Sequence, residues 1–244
     1  MTEDRPEAAK ARELNDQLLY TMYSVFRATT PIADEERSSL AEEGQAFLDA
    51  ALEKDVYTRG TYDVAGFKAE ADVLIWWTCA DIDVLQDTYS RFRQTRLGRH
   101  LTPVWSSVGL HRPAEFNRNH IPAYVRREDP KKYVCVYPFN RSLEWYLLPD
   151  YERKGMLSDH GIMGREYEDV RANTVAAFAL GDYEWLLAFE ADELHRIVDV
   201  VRTRRSARPR LPPQPETPSF PGVPHSATAR RAATPQPPPP PPPP

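Results

Sequence analysis

The chain has 244 residues, of which 36 are acidic and 31 basic, giving a formal net charge of −5 and an isoelectric point near 5.7. With 41% hydrophobic and 11% aromatic residues it can bury the core of one large or two small domains, and it lacks the basic block interleaved with aromatics that a nucleic-acid partner would call for. The charged opening MTEDRPEAAKARELND has no apolar core of a secretory signal, and no run reaches the ~18 apolar residues of a membrane span, so a cytoplasmic protein without a membrane span is expected.

In chain order, YTMYSVFRA (20–28) reads as a strand because β-branched and aromatic residues crowd into a short run. A helical pattern follows over 34–55, then a strand over 71–80 (ADVLIWWTCA) and a helix over 81–100. Strands are expected at 103–111 (PVWSSVGLH) and 133–139 (YVCVYPF), and a helix at 150–167. ANTVAAFAL and YEWLLAFEA bracket Gly181-Asp182, a dipeptide suited to a hairpin turn, and a last helix is expected over 191–205. Asp81, Asp150 and Asp192 stand where a carboxylate could cap a first helical turn. Cys79 and Cys135 lie in apolar runs and read as buried thiols. The order strand, helix, strand pair, helix, strand, and then a second such round, resembles two split βαβ units and predicts an α+β sandwich or barrel with one sheet face in need of cover. After Arg205 the chain holds 16 of its 24 prolines and ends in a run from Pro237 to Pro244, a composition expected to give a disordered or polyproline-II tail.

Chemistry-bearing motifs are few. The six histidines form no HExxH, no CxxC pair exists, and the ten glycines make neither GxGxxG nor GxxxxGK[ST], which disfavours a structural zinc site and the common nucleotide folds. No GxSxG elbow is present. His160, in LSDHGIMGR, sits on a predicted helix beside Gly161 and near Gly164; it reads either as an exposed surface histidine or as an axial ligand to haem iron. His120, in EFNRNHIPAY, reads as a surface loop residue or as a proton-transfer base. His100 and His111 flank a strand and are expected to face solvent. His195 looks like an ordinary helix-face residue, and His225 belongs to the tail. Tyr137, Arg141 and Trp145 follow one another at spacings of four in YPFNRSLEWYLLP. They form either an aromatic core with a surface arginine, or a site in which an electron donor, a carboxylate-binding guanidinium and an indole wall converge.

The stretches YTMYSVFRA, ADVLIWWTCA, LTPVWSSVGLHRPAEFNRNHIPAY, KKYVCVYPFNRSLEWYLLP and LSDHGIMGREYEDVRANTVAAFALGDYEWLLAFEADELHRIVD together resemble coproheme decarboxylases, the haem-synthesis branch of the chlorite dismutase-like family, over roughly residues 12–202. That resemblance implies an α+β fold of two ferredoxin-like halves (roughly 12–115 and 130–205) forming a dimeric α+β barrel within one chain. The domain would span 1–222, ahead of the tail at 223–244, and assemble as a homopentamer. It implies hydrogen peroxide-dependent oxidative decarboxylation of two propionates of Fe-coproporphyrin III (coproheme), at once substrate and cofactor, to give haem b. His160 matches the axial iron ligand, His120 the distal base, Tyr137 the tyrosine whose radical attacks the propionates, Arg141 a propionate-binding residue and Trp145 a wall of the porphyrin pocket. Coproheme and hydrogen peroxide would be the small-molecule partners, with a transient contact to the ferrochelatase that supplies coproheme. A porphyrin carrier or sensor without turnover is the alternative reading. Two departures from the family pattern stand out. TVAAFAL carries no arginine where chlorite-splitting relatives have a distal one, and RLPPQPETPSFPG keeps only Glu216, Pro218, Phe220 and Gly222 of the expected last strand, with prolines at 212, 213 and 215 expected to remove ladder hydrogen bonds.

Overall fold

The computed structural model describes residues 13–115, 121–205 and 218–224. Eight strands run β1 (Tyr20–Ala28), β2 (Tyr57–Asp63), β3 (Val73–Cys79), β4 (Leu101–Leu110), β5 (Tyr133–Phe139), β6 (Arg171–Ala176), β7 (Trp185–Ala191) and β8 (Phe220–Pro224). The helices are α1 (Arg37–Leu52), α2 (Ile82–Gln94), α3 (Arg96–Arg99), α4 (Leu143–Leu147), α5 (Asp150–Met163), continued by a 3₁₀ turn over Gly164–Tyr167, and α6 (Leu194–Arg205). The strands form one closed barrel in the order β1-β3-β2-β8-β5-β7-β6-β4, and every pairing is antiparallel. Within each half of the chain the spatial order is the same: fourth strand, first, third, second.

The strands between two layers are buried on both faces, which is why β1, β3 and β7 read as almost continuous apolar runs rather than alternating ones. Alternate residues still go to different places. Tyr23, Val25, Leu74, Trp76, Val134, Val136, Leu186 and Ala188 point into the barrel. Met22, Phe26, Ile75 and Trp77 point outward, where Leu48 and Ala51 of α1 and Leu85 and Phe92 of α2 cover them. In the second half Tyr137, Leu187 and Phe189 point outward and meet Ile197 and Val200 of α6.

The two seams between halves are short and tight. β4 meets β6 through Leu110 and Ala176, and any side chain at Gly109 would strike the methyls of Val175. β2 meets β8 through Tyr62–Pro224 and Asp63–Val223, where a Cβ at Gly222 would stand 2.9 Å from both Tyr62 and Val64. The chain supplies glycine at each of these close approaches. The retained Phe220 is fully buried and lies 5.2 Å from the Trp105 ring; Pro212, Pro213 and Pro215 lie outside the described residues.

Inside the barrel the halves are joined by charge. Arg59 of β2 and Glu190 of β7 form a fork, Nε to Oε1 at 3.0 Å and Nη2 to Oε2 at 2.7 Å, with both side chains fully buried. The remaining capacity is used: Arg59 Nη1 donates to the Glu128 carbonyl, Asn173 Nδ2 donates to Glu190 Oε2, and Trp76 lies 5.2 Å beneath the guanidinium. A desolvated pair is held only when both partners and their spare hydrogen-bonding sites are satisfied. Burial pushes the surrounding phenols of Tyr23, Tyr62 and Tyr124 above the ordinary tyrosine range, so all three are neutral.

Several local expectations need correction. The helices over 34–55 and 81–100 are shorter, and the second breaks at Thr95 into α2 and α3. Asp81 does cap α2, accepting from the backbone N–H groups of Asp83 and Val84. Asp150 instead accepts from Arg153, and Asp192 from Lys131 and the Lys132 backbone, so neither caps a helix. The turn at Gly181-Asp182 is a loop of 177–184 whose left-handed residue is Ala179, at φ 61. Neither cysteine is in a disulfide: Cys79 is buried, and Cys135 is half-buried with its Sγ 3.5 Å from Ser219 Oγ.

Removing one member of the interior pair leaves an unpaired buried charge, so Glu190→Ala should lower unfolding free energy by about 3–5 kcal/mol, whereas Arg59→Met combined with Glu190→Leu should lose distinctly less. Denaturant titration of the three proteins checks this; a loss below about 1 kcal/mol for Glu190→Ala would show that the pair does not tie the halves together.

Candidate porphyrin site on the second half

The outer face of β5, β7 and β6 is built in rows set by register. Tyr137, Leu187 and Thr174 form one row, and Phe139, Trp185 and Ala176 the next. Tyr137 is 7% exposed and its ring lies 6.1 Å from Phe189. Arg171, the basic residue of β6, is on the other side of its strand, bound to Glu128 and to the Asp129 carbonyl. Thr174 and Ala176 leave the rows beside Tyr137 and Phe139 uncharged.

At the end of β5 the chain turns sharply into α4 and brings Arg141 and Trp145 together, with the guanidinium 4.2 Å from the Trp145 ring centroid. Trp185, which the sequence reasoning did not single out, flanks the same guanidinium at 5.4 Å. It was visible only as one aromatic of the strand YEWLLAFEA; nothing in the local pattern marks it until β5 and β7 pair Phe139 with Trp185. Burial holds the Arg141 pKa below its usual value despite nearby Tyr146, Glu115 and Glu184. Among the described residues Arg141 makes no ion pair. Phe139, Phe178 and Tyr146 complete an aromatic rim around Trp185.

Helices α4 and α5 of the second half differ from those of the first. α1 buries Leu40, Gly44, Leu48 and Ala51, and α2 buries Leu85, Thr88 and Phe92. Neither α4 nor α5 buries any residue. α5 has an inward side nonetheless: Arg153, Met156, Leu157 and Met163 are partly covered, and they stand seven, four, three and three residues from His160, the spacing of one helical face. His160 lies on that same side and is exposed. It is in the last turn of α5, where the helix dipole favours a positive charge. An exposed histidine on the covered side of α5, a sheet face whose rows beside Tyr137 carry no charge, and a guanidinium flanked by two indoles at its rim are groups suited to a flat apolar ring that carries a metal and peripheral carboxylates. His120 lies outside the described residues. Among the described residues, no group of three or more His, Cys, Asp or Glu side chains could hold a metal ion by itself, and no helix is long and apolar enough to cross a membrane.

The other described histidines do not join this site. His195 is exposed and beside Glu193, His100 is half-buried, and His111 is buried rather than solvent-facing. A His111 ring nitrogen lies 3.1 Å from Asn15 Oδ1, and the ring meets Tyr124 edge-on. The strand end was expected to leave this histidine in water. Instead the backbone N–H of His111 donates to the Leu19 carbonyl, drawing the residue under the N-terminal segment.

A model of the chlorite dismutase family matches residues 37–224. A coproheme decarboxylase of Mycolicibacterium smegmatis is 57% identical over 198 residues, which covers 81% of this chain and 86% of that protein. The chain belongs to the chlorite dismutase family. Its resemblance to the coproheme decarboxylase branch is shown by that second match, as is its standing as an enzyme of that family. Solved structures give the same fold at lower identity. Chlorite dismutase from Candidatus Nitrospira defluvii in complex with imidazole superposes with a TM-score of 0.77 at 18% identity, covering 87% of this chain and 93% of that one. A mutant of chlorite dismutase from the same organism gives 0.78 at 18% identity, covering 93% and 98%. The family fold is an α+β barrel of antiparallel strands with helices outside.

Burial lowers the pKa of His111 below 6.5 and outweighs the opposing hydrogen bond from Asn15. The native fold therefore holds His111 neutral while the unfolded chain takes up a proton first. Its contribution is fully present above the unfolded pKa and is lost as pH falls from there towards the folded one. Denaturation midpoints measured between about pH 7.5 and about pH 5.5 should fall with pH, and a His111→Gln variant should show a shallower fall; equal slopes would remove His111 as the cause.

Proposed function

We propose that this protein is a hydrogen peroxide-dependent coproheme decarboxylase, which binds Fe-coproporphyrin III on the outer face of β5, β7 and β6 and converts two of its propionates to vinyls, yielding haem b. The observation that carries the reading is Arg141, held against the faces of Trp145 and Trp185 at the end of the sheet face that bears Tyr137, with His160 exposed on α5, a helix of the same half that buries nothing. The 57% identity to a coproheme decarboxylase supports the choice of substrate.

His160 would hold the porphyrin iron in this reading, and the iron porphyrin, when bound, would supply the oxidising chemistry that peroxide feeds. Arg141 binds a propionate carboxylate, and its flanking indoles keep the guanidinium in place and limit water around it. Trp145 walls the pocket. His120 takes a proton from hydrogen peroxide. Tyr137 is the electron donor: its phenol gives up an electron and a proton, then takes a hydrogen atom from the propionate carbon next to the ring. Loss of carbon dioxide and a second electron leaves a vinyl group. Each propionate and one peroxide thus yield a vinyl, carbon dioxide and two waters.

The finer architecture follows the same reading. The domain expected over 1–222 extends through Pro224, because β8 runs Phe220–Pro224 and pairs Val223 and Pro224 with β2; it is built of two ferredoxin-like halves, supported by the repeated strand order of the two halves, assembles as a homopentamer in the cytoplasm and takes coproheme from the ferrochelatase. The uncharged rows around Thr174 and Ala176 disfavour chlorite as a substrate.

Purified protein given Fe-coproporphyrin III and titrated with hydrogen peroxide should show two successive porphyrin mass losses, each of carbon dioxide plus two hydrogens. Tyr137→Phe should bind the porphyrin with unchanged affinity and convert at least about a hundredfold more slowly. Binding with no mass change would leave a porphyrin carrier, and full-rate conversion by Tyr137→Phe would remove Tyr137 from the mechanism.

A further inference from the structure

We infer that Glu184 is a positioning residue for carboxylate recognition, holding Arg141 in its slot between Trp145 and Trp185. This rests on the functional reading above and assigns a role to a residue that does not itself reach the substrate.

One carboxylate oxygen organises the whole rim. Glu184 Oε2 accepts from the Arg141 backbone N–H at 3.0 Å and from the Tyr146 hydroxyl at 2.6 Å. Tyr146 Oη in turn accepts from Trp185 Nε1 at 3.1 Å. The backbone N–H of Glu184 donates to Asn140 Oδ1 at 2.7 Å, and Asn140 Nδ2 donates back to the Asp182 carbonyl at 3.5 Å. The end of β5, helix α4 and the start of β7 are therefore pinned to one another at a single acid. Trp145 is carried on the same turn of α4 as Tyr146, so each group that shapes the Arg141 slot is tied to Glu184: the backbone of Arg141, one indole through α4, and the other through the phenol.

The geometry also shows why Glu184 is not simply the ion-pair partner of Arg141. Its oxygen is engaged by the backbone amide and the phenol, and the Arg141 guanidinium packs on indole faces. Burial, with help from the Glu184 hydrogen bond, pushes the Tyr146 phenol up to about 12, so this hydroxyl remains a donor to the carboxylate through the working pH range. α4 is only five residues long and buries none of them. Too short to hold its place by its own packing, it depends on such a tether.

The test measures dissociation constants for Fe-coproporphyrin III and for its tetramethyl ester, which lacks the carboxylates, by indole quenching and porphyrin absorbance. The proteins are wild type, Arg141→Ala, Glu184→Ala, Glu184→Gln and the Arg141→Ala/Glu184→Ala double variant, each checked for an unchanged thermal midpoint. Glu184→Ala should weaken the free acid about tenfold and the ester by less than about twofold. Glu184→Gln, whose amide oxygen can still accept both hydrogen bonds, should restore binding to within about twofold of wild type. The double variant should be no weaker than Arg141→Ala by more than about twofold, because positioning has no object once the guanidinium is gone. Equal weakening of acid and ester, or full additivity in the double variant, would overturn the positioning role while wild-type binding stands. Absence of wild-type binding to Fe-coproporphyrin III would overturn the functional reading, and this role with it.

Discussion

Arg59 and Glu190 meet inside the barrel from opposite halves of the chain, and the rest of the molecule is arranged around the demands of that meeting. A buried guanidinium and carboxylate tolerate no spare donors or acceptors. The interior accordingly supplies the Glu128 carbonyl, the Asn173 amide and the Trp76 ring. Glu128 belongs to the connection between halves, and Asn173 to β6, so satisfying the pair also ties that connection and β6 to the barrel interior. With the seams themselves reduced to short pairings at Leu110–Ala176 and Tyr62–Pro224, the interior charge pair joins what the ladders only touch.

The interior is closed, and the two halves use their outer faces differently. The first half seals its face with Leu48, Ala51, Leu85 and Phe92. The second sets Ile197 and Val200 of α6 over one part of its sheet and leaves α5 with a partly covered side that carries His160. The same strand order therefore yields two outer faces, distinguished by what the helices bury. Arg141 and its indoles lie at the rim of the second face, tethered through Glu184 to both strands that frame it.

Much of this was legible in the residues. β1 and β5 have the bounds that their aromatic and β-branched runs predict, and Asp81 caps its helix as its position suggests. Arg141 and Trp145 meet as their spacing allows. Other features depended on partners distant in sequence. The carboxylates of Asp150 and Asp192 found an arginine and a lysine rather than helical amides, because local capping patterns say nothing of neighbours brought by the fold. His111 was drawn under the N-terminal segment by a backbone bond to Leu19. Trp185 and Glu184 became recognisable only when β7 was laid against β5. Arg59 and Glu190, 131 positions apart, carry no local sign of pairing at all. What the sequence states well is the resemblance and the local strands; closure, burial of charge and the rim are properties of the assembled barrel.

The central claim is that a porphyrin fills the second half's helix layer between the Tyr137 face and α5. Amide hydrogen exchange of the protein with and without Fe-coproporphyrin III tests it most directly. The account predicts new protection concentrated in α4 and α5, over residues 143–163, with little change in α1 and α2. Protection appearing instead over 37–52 and 82–94, or none in α5 when the porphyrin is demonstrably bound, would contradict it.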